Sequence, residues 1–282
     1  MKKGLVLEGG GFRSLFSSGL LDVLMAEGIR ADGLIGVSAG ALFGVNFKSH
    51  QPGRGLRYNL RFKDHPRYMG WRPLLTTGNI VGPQFSYHEL PFELDPVDVQ
   101  AFRDDPTEFW AVCTDIERGE AVYHRIDEFT HESIEWLRAS ASMPLVSRPV
   151  AIGGRLLLDG GMADSIPFQA FRQRGFERNL VVLTQPRGFR KQAMKINWAF
   201  RIFCRRYPAI ARLMECRHEM YNRQLDELAE AEKNGEVLVI CPEAPLGIGR
   251  TETDAARMQA VYDSGVAAAR QHLARIRDYF LG

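Results

Sequence analysis

Ser38 stands in Gly36-Val37-Ser38-Ala39-Gly40, a Gly-x-Ser-x-Gly turn. The turn follows the short apolar run Leu34-Ile35 and opens onto Ala41-Leu42, so it reads as strand, sharp turn, helix. A serine so placed has its hydroxyl lifted clear of the backbone at a helix N-terminus, where it can act as a nucleophile. A second group is Gly9-Gly10-Gly11-Phe12-Arg13-Ser14. Three consecutive glycines at a strand-to-helix turn leave successive N–H groups uncovered beside the positive end of a helix dipole. Such a loop holds an anion, either a nucleotide phosphate or the oxyanion of an acyl-transfer intermediate. The third group is Asp159-Gly160-Gly161, at the end of the apolar run Leu156-Leu157-Leu158. With no bulk behind it, this acid can approach another backbone turn closely. A plain turn remains the other reading, since Asp-Gly is a common turn dipeptide.

These groups need strands and helices to hold them. Strands are expected near 4–8, 33–37, 108–113, 120–124, 148–152, 155–159, 179–184 and 236–241. Helices are expected near 14–27, 39–48, 131–141, 166–174, 195–215, 217–233 and 253–280, with Pro208 kinking or splitting the fifth. Ser14 is a candidate cap for the first helix, and Gly28 suits its C-terminal end. Alternating strands and helices predict a mostly parallel sheet covered on both faces. Residues 50–106 are rich in Pro, Gly and Arg with weak periodicity, and read as an irregular excursion over the active-site side.

Taken in order, the three groups resemble the motifs of the patatin-like phospholipases, a family of lipid acyl hydrolases. The likeness extends to Gly19-Leu20-Leu21-Asp22-Val23-Leu24, to Ala139-Ser140-Ala141-Ser142-Met143-Pro144 and to Asp164-Ser165-Ile166-Pro167. It covers roughly residues 4 to 185. Two departures are Ser14, where many members have glycine, and Ser165, where many have asparagine. The resemblance implies a three-layer α/β/α fold, with residues 1–185 as catalytic domain and residues 186–282 as a mainly helical extension carrying one returning strand. It implies Ser38 as nucleophile and Asp159 as general base. The amides of Gly9, Gly10 and Gly11 would form an oxyanion hole, with Arg13 nearby. A carboxylate is a weak base in water, and burial beside a glycine turn strengthens it. Each oxyanion donor is worth roughly 3 kcal/mol. The expected activity is cleavage of fatty acyl esters of phospholipids or related lipids through an acyl-Ser38 intermediate. The alternative is a catalytically quiet lipid-binding or scaffolding protein that keeps the fold.

Other classes fit less well. An α/β-hydrolase triad needs a late histidine, and His218 and His272 lie in charge-rich helical stretches; moreover, only one strand and one helix precede Ser38. The dinucleotide fingerprint lacks its third glycine and its acid. No cofactor and no metal is expected, because Asp104-Asp105 reads as a turn and Asp22 and Asp32 lack partners at ligand spacing.

The 282 residues are 45% hydrophobic and 25% charged, with a net charge of +2 that favours no polyanion such as nucleic acid. Cys113, Cys204, Cys216 and Cys241 show no pairing pattern, so reduced thiols in the cytoplasm are expected, with peripheral membrane contact as a further placement. Two segments are candidates to touch a membrane or micelle surface. One is the basic stretch from Gln185 to Arg223, with the apolar stripe Ile196, Phe200, Phe203, Tyr207, Ile210 and Met214. The other places Arg54, Arg57 and Arg61 on one helical face beside Tyr58, Phe62 and Trp71, a candidate phosphate anchor. For both, a helix packed on the domain with its charges in water is the plainer reading.

Overall fold

Alternating side chains of one strand already divide the core. On β1 (Lys2–Leu7), Leu5 and Leu7 join one buried cluster, and Val6 joins another on the opposite side. In this computed structural model, which describes residues 1–194 and 198–281, β1 lies in the interior of a single sheet, between β2 and β7. Parallel to it run β2 (Gly33–Val37), β3 (Glu108–Asp115), β7 (Phe176–Val182) and β8 (Val237–Ile240). Three strands run against these: β4 (Glu120–Arg125) and β6 (Arg155–Asp159) pair antiparallel with β3, and β5 (Val150–Ile152) pairs with β6 across the Gly153-Gly154 turn. The order is β5-β6-β3-β2-β1-β7-β8, with β4 joined to β3 off this path.

Helices cover both faces, giving three layers. On one side lie α1 (Leu15–Ala26), α2 (Ala39–Lys48), α10 (Ala255–Gln271) and α11 (Leu273–Leu281), which bury Leu20, Phe47, Met258 and Ile276. On the other lie α7 (Phe168–Arg172) and α9 (Pro208–Lys233), which bury Phe171, Tyr221 and Leu228. The sheet therefore reads as near-continuous apolar runs, as a sheet buried on both faces must.

Some expectations are revised. Residues 50–106 are not irregular. They hold α3 (Arg54–Phe62), α4 (Trp71–Thr77), a π-helix (Phe85–Leu94) with Pro91 inside it, and α5 (Val99–Asp104). Three short helices and one of non-standard period leave little 3.6-residue signal to read. Pro208 separates α8 (Trp198–Arg206) from α9, but it starts α9 at its first turn, where its missing N–H costs nothing. α9 then runs unbroken through Cys216, so the expected division between 195–215 and 217–233 is displaced. The expected helix start at Lys195 and the stripe residue Ile196 lie outside the described residues, as do the side chains of Arg201 and Phe203. Of the same stripe, Phe200, Ile210 and Met214 pack with Ile116, Leu158 and Met162, so its apolar side covers the domain. The last helix divides at His272. α6 (Ser133–Ser140) completes the order. Among the described residues no helix is long and apolar enough to cross a membrane, and no group of three or more His, Cys, Asp or Glu is arranged to hold a metal ion.

Candidate active site

Register brings Ser38 and Asp159 together across more than a hundred residues of sequence. β4 occupies one edge of β3 from Trp110 to Asp115, so β2 and β6 must share the other edge. There Val37 pairs with Val112, and Asp159 pairs with Cys113. The two strands approach from opposite directions and end at consecutive positions of β3, about 3.3 Å apart along it. Ser38 is the next residue after β2, and Asp159 is the last residue of β6.

Ser38 has φ 55° and ψ −127°, a strained region for any residue with a side chain. Its N–H donates to Ser140 Oγ at 2.9 Å, and Ser140 Oγ in turn donates to Val112 O at 2.6 Å. The Ser38 carbonyl accepts from Ala41 and Leu42 as α2 begins. Close packing explains the flanking glycines: a Cβ on Gly40 would stand 2.7 Å from Leu7 O. At Gly9 a Cβ would stand 2.8 Å from Ser38 Cβ, which presses the glycine loop against the serine.

Asp159 is 7% exposed. Its Oδ1 accepts from Gly161 N at 2.8 Å, and its carbonyl accepts from Thr114 Oγ1 at 2.8 Å. Among the described residues Oδ2 carries no hydrogen bond, and Ser38 Oγ is not bonded to it. Catalytic contacts are often loose before substrate arrives. Ser38, Asp159, Gly9, Gly10, Gly11 and Arg13 all line one cavity, polar in that charged side chains stand among its apolar walls. The three glycine amides donate to no group of the chain among the described residues. Arg13 Nε is buried without a partner there, and burial above all pushes its guanidinium below the usual range, against the pull of Glu8. Ser14 precedes α1 without capping it, since its buried Oγ makes no hydrogen bond among the described residues.

A second cavity, apolar, opens from the same serine. Its walls include Phe12, Leu42, Phe43, Tyr87, Leu90 and Leu137. The glycine loop supplies Phe12, α2 Leu42 and Phe43, the π-helix Tyr87 and Leu90, and α6 Leu137; with Tyr58 of α3, residues 50–106 roof this cavity. The arginines of the second candidate segment are engaged within the fold: Arg57 is paired bidentately with Asp95 at 2.8 and 2.9 Å, Arg54 donates to Asn46 and to Asp95 O, and Arg61 donates to Leu94 O. His218 and His272 line neither cavity.

Sequence reasoning overlooked Glu8, Thr184, Tyr221, Lys191, Arg217 and Arg250 as neighbours of the site. Glu8 is 5% exposed and accepts from Thr184 N and from Tyr221 OH, both at 2.7 Å. Burial chiefly, then Glu8, pushes the Tyr221 hydroxyl far above its usual range, so it stays a donor. A charged residue closing a buried strand was the available signal. For Arg217 it was a cation in step with Met214, Tyr221 and Leu228 on the inward face of α9.

The family model of the patatin-like phospholipases matches residues 5–172, and that of a domain of unknown function (DUF6363) matches residues 207–281. The uncharacterized protein YjjU of Escherichia coli is 27% identical over 191 residues, covering 64% of this chain and 52% of its own length. Lysophospholipase NTE1 of Cryptococcus neoformans is 31% identical over 186 residues, covering 64% of this chain and 11% of that protein. The chain thus spans about half of the first relative and about a tenth of the second. VipD from Legionella pneumophila superposes with a TM-score of 0.45 at 13% identity, covering 96% of this chain and 67% of that one.

Proposed function

The chain belongs to the patatin-like phospholipase family, and from that premise we propose that it hydrolyses fatty acyl esters of phospholipids or related lipids, with Ser38 as nucleophile and Asp159 as base. Ser38 Oγ attacks the ester carbonyl as its proton passes to Asp159. The oxyanion lies against the amides of Gly9, Gly10 and Gly11, with Arg13 adding positive charge. Collapse releases the alcohol, which takes the proton, and leaves acyl-Ser38. Water, deprotonated by Asp159, then frees the fatty acid and returns the serine. The acyl chain occupies the apolar cavity, and its substrate reaches the mouth from a lipid surface. Trp71 and Leu75 on α4 are 79% and 83% exposed, and the backbone bond from Ile80 N to Val146 O ties that segment beside Leu145, which lines the polar cavity.

The observation that carries this reading is the strained Ser38, directly after Val37, which sits one register position of β3 from Asp159, with an apolar and an anion-accepting cavity meeting at the serine. A catalytically quiet lipid binder needs no such turn. The test is hydrolysis of a lysophospholipid by the native chain and by Ser38→Ala, with circular dichroism on both. The proposal expects a fall in kcat on the order of 10⁴-fold or more at unchanged fold. Retention of more than about a tenth of the activity would overturn it.

A further inference from the structure

The polar cavity carries more cationic charge than ester chemistry needs. Arg13, Lys191, Arg217 and Arg250 line it, against the acids Glu8 and Asp159, so three arginines less two carboxylates leave a surplus of one positive charge, and of two when Lys191 is protonated. Glu8 is already engaged by Thr184 and Tyr221. None of the four cations forms an ion pair among the described residues, whereas Arg187 and Arg190 on the same segment as Lys191 are paired with Glu232 and Asp226. Lys191 Nζ stands 3.9 Å from the centroid of the Tyr221 ring, and Arg217 Nε donates to Gly161 O at 2.6 Å beside Asp159. Burial first, then Arg217, depresses Lys191 to about 7, with Arg250 and Arg13 acting the same way and Glu8 opposing. Burial first also lowers Arg217. Like charges gathered in a partly desolvated hollow attract an anion, and an anion relieves their repulsion.

Geometry indicates which anion. Both cavities meet at Ser38, and Arg250 lines both. With the acyl chain in the apolar cavity, the leaving alcohol must project into the polar one. In a glycerophospholipid that alcohol carries a phosphate a few bonds from the ester oxygen. We infer that Lys191, Arg217 and Arg250 form a phosphate subsite that seats an anionic headgroup of the lipid cleaved at Ser38. The lipid assignment rests on the acyl-hydrolase reading; the anion subsite does not.

The experiment compares lysophosphatidylglycerol, lysophosphatidylcholine and monoacylglycerol of one chain length, with p-nitrophenyl butyrate as a neutral ester. The enzymes are the native chain, Lys191→Gln/Arg250→Gln and Lys191→Arg. The native chain is expected to favour lysophosphatidylglycerol over monoacylglycerol by about tenfold or more in kcat/KM, with the zwitterion between. The double variant loses this preference through KM, and its butyrate rate falls far less than its kcat/KM for lysophosphatidylglycerol. The phosphodiester does not titrate near neutrality, so native preference falls as pH rises through about 7 and Lys191 loses its proton, while Lys191→Arg holds it. Inorganic phosphate raises the melting temperature of the native chain and not of the double variant. Equal use of lysophosphatidylglycerol and monoacylglycerol, or a preference unchanged in the double variant, overturns the headgroup subsite. Lysine-dependent stabilisation by phosphate without any lipid preference also overturns it and assigns the site to a free anion. If no ester at all is cleaved, butyrate included, the acyl-hydrolase reading fails instead, and the melting shift alone decides the anion subsite.

Discussion

A non-glycine residue at φ 55° and ψ −127° costs of order 1–3 kcal/mol and persists only where its surroundings hold it. For Ser38 the holder on the N–H side is Ser140, which bridges Ser38 N to Val112 O. Ser140→Ala leaves two buried backbone groups unpaired, at a cost of about 1–3 kcal/mol. The expected result is a drop in kcat of about tenfold with KM little changed, beside lower urea resistance; normal kcat in the variant would show that Ser140 does not position the nucleophile. At this scale the sequence was legible where backbone constraint shows in residue type. Two glycines bracketing Ser38 and a glycine triplet after β1 announce tight turns. The roles of Lys191, Arg217 and Arg250 were not legible. A basic stretch looks alike whether its charges face water or a cavity; the packing of α9 turns Arg217 inward, while Lys191 and Arg250 lie on loops whose course no local pattern sets.

Elements decide which of these residues meet. The strands were readable as apolar runs, because a sheet buried on both faces shows them plainly, and α2 starts and stops where its composition suggests. What no local pattern contains is the sharing of one edge of β3 by β2 and β6, which sets Val37 and Asp159 on adjoining positions. The π-helix was equally hidden, since its period differs from 3.6 and it includes Pro91. Together with α3 it roofs the apolar cavity, whose floor beside the serine is Leu42 on α2. If the acyl chain lies in this cavity as proposed, chain-length preference belongs to these helices. Leu42→Trp is expected to cut kcat/KM for a sixteen-carbon ester by about tenfold or more while sparing a butyrate ester, because lost apolar burial grows at roughly 0.8 kcal/mol per CH₂ excluded. A parallel fall for both esters would place the acyl chain elsewhere.

Across the whole molecule, the early elements carry the serine and glycine loop, and the later ones complete the walls. β8 extends the same sheet beside β7, while α10 is bound to α1 through Tyr262 OH on Asp22 at 2.6 Å. α9 reaches the cavity with Met214, Arg217 and Tyr221. Asp22, buried and shared with Gly53 N at 2.8 Å, thereby links the first helix, the roof over the apolar cavity and the C-terminal helices. The central claim is that this assembly activates Ser38 through Asp159. Its most direct test is labelling of the full chain with a fluorophosphonate, mapping the adduct by peptide mass spectrometry in the native chain and in Asp159→Asn. The account predicts an adduct on Ser38 in the native chain that is lost in Asp159→Asn while the fold persists. A folded native chain with no adduct, or one labelled at Ser38 equally well without the aspartate, would contradict it.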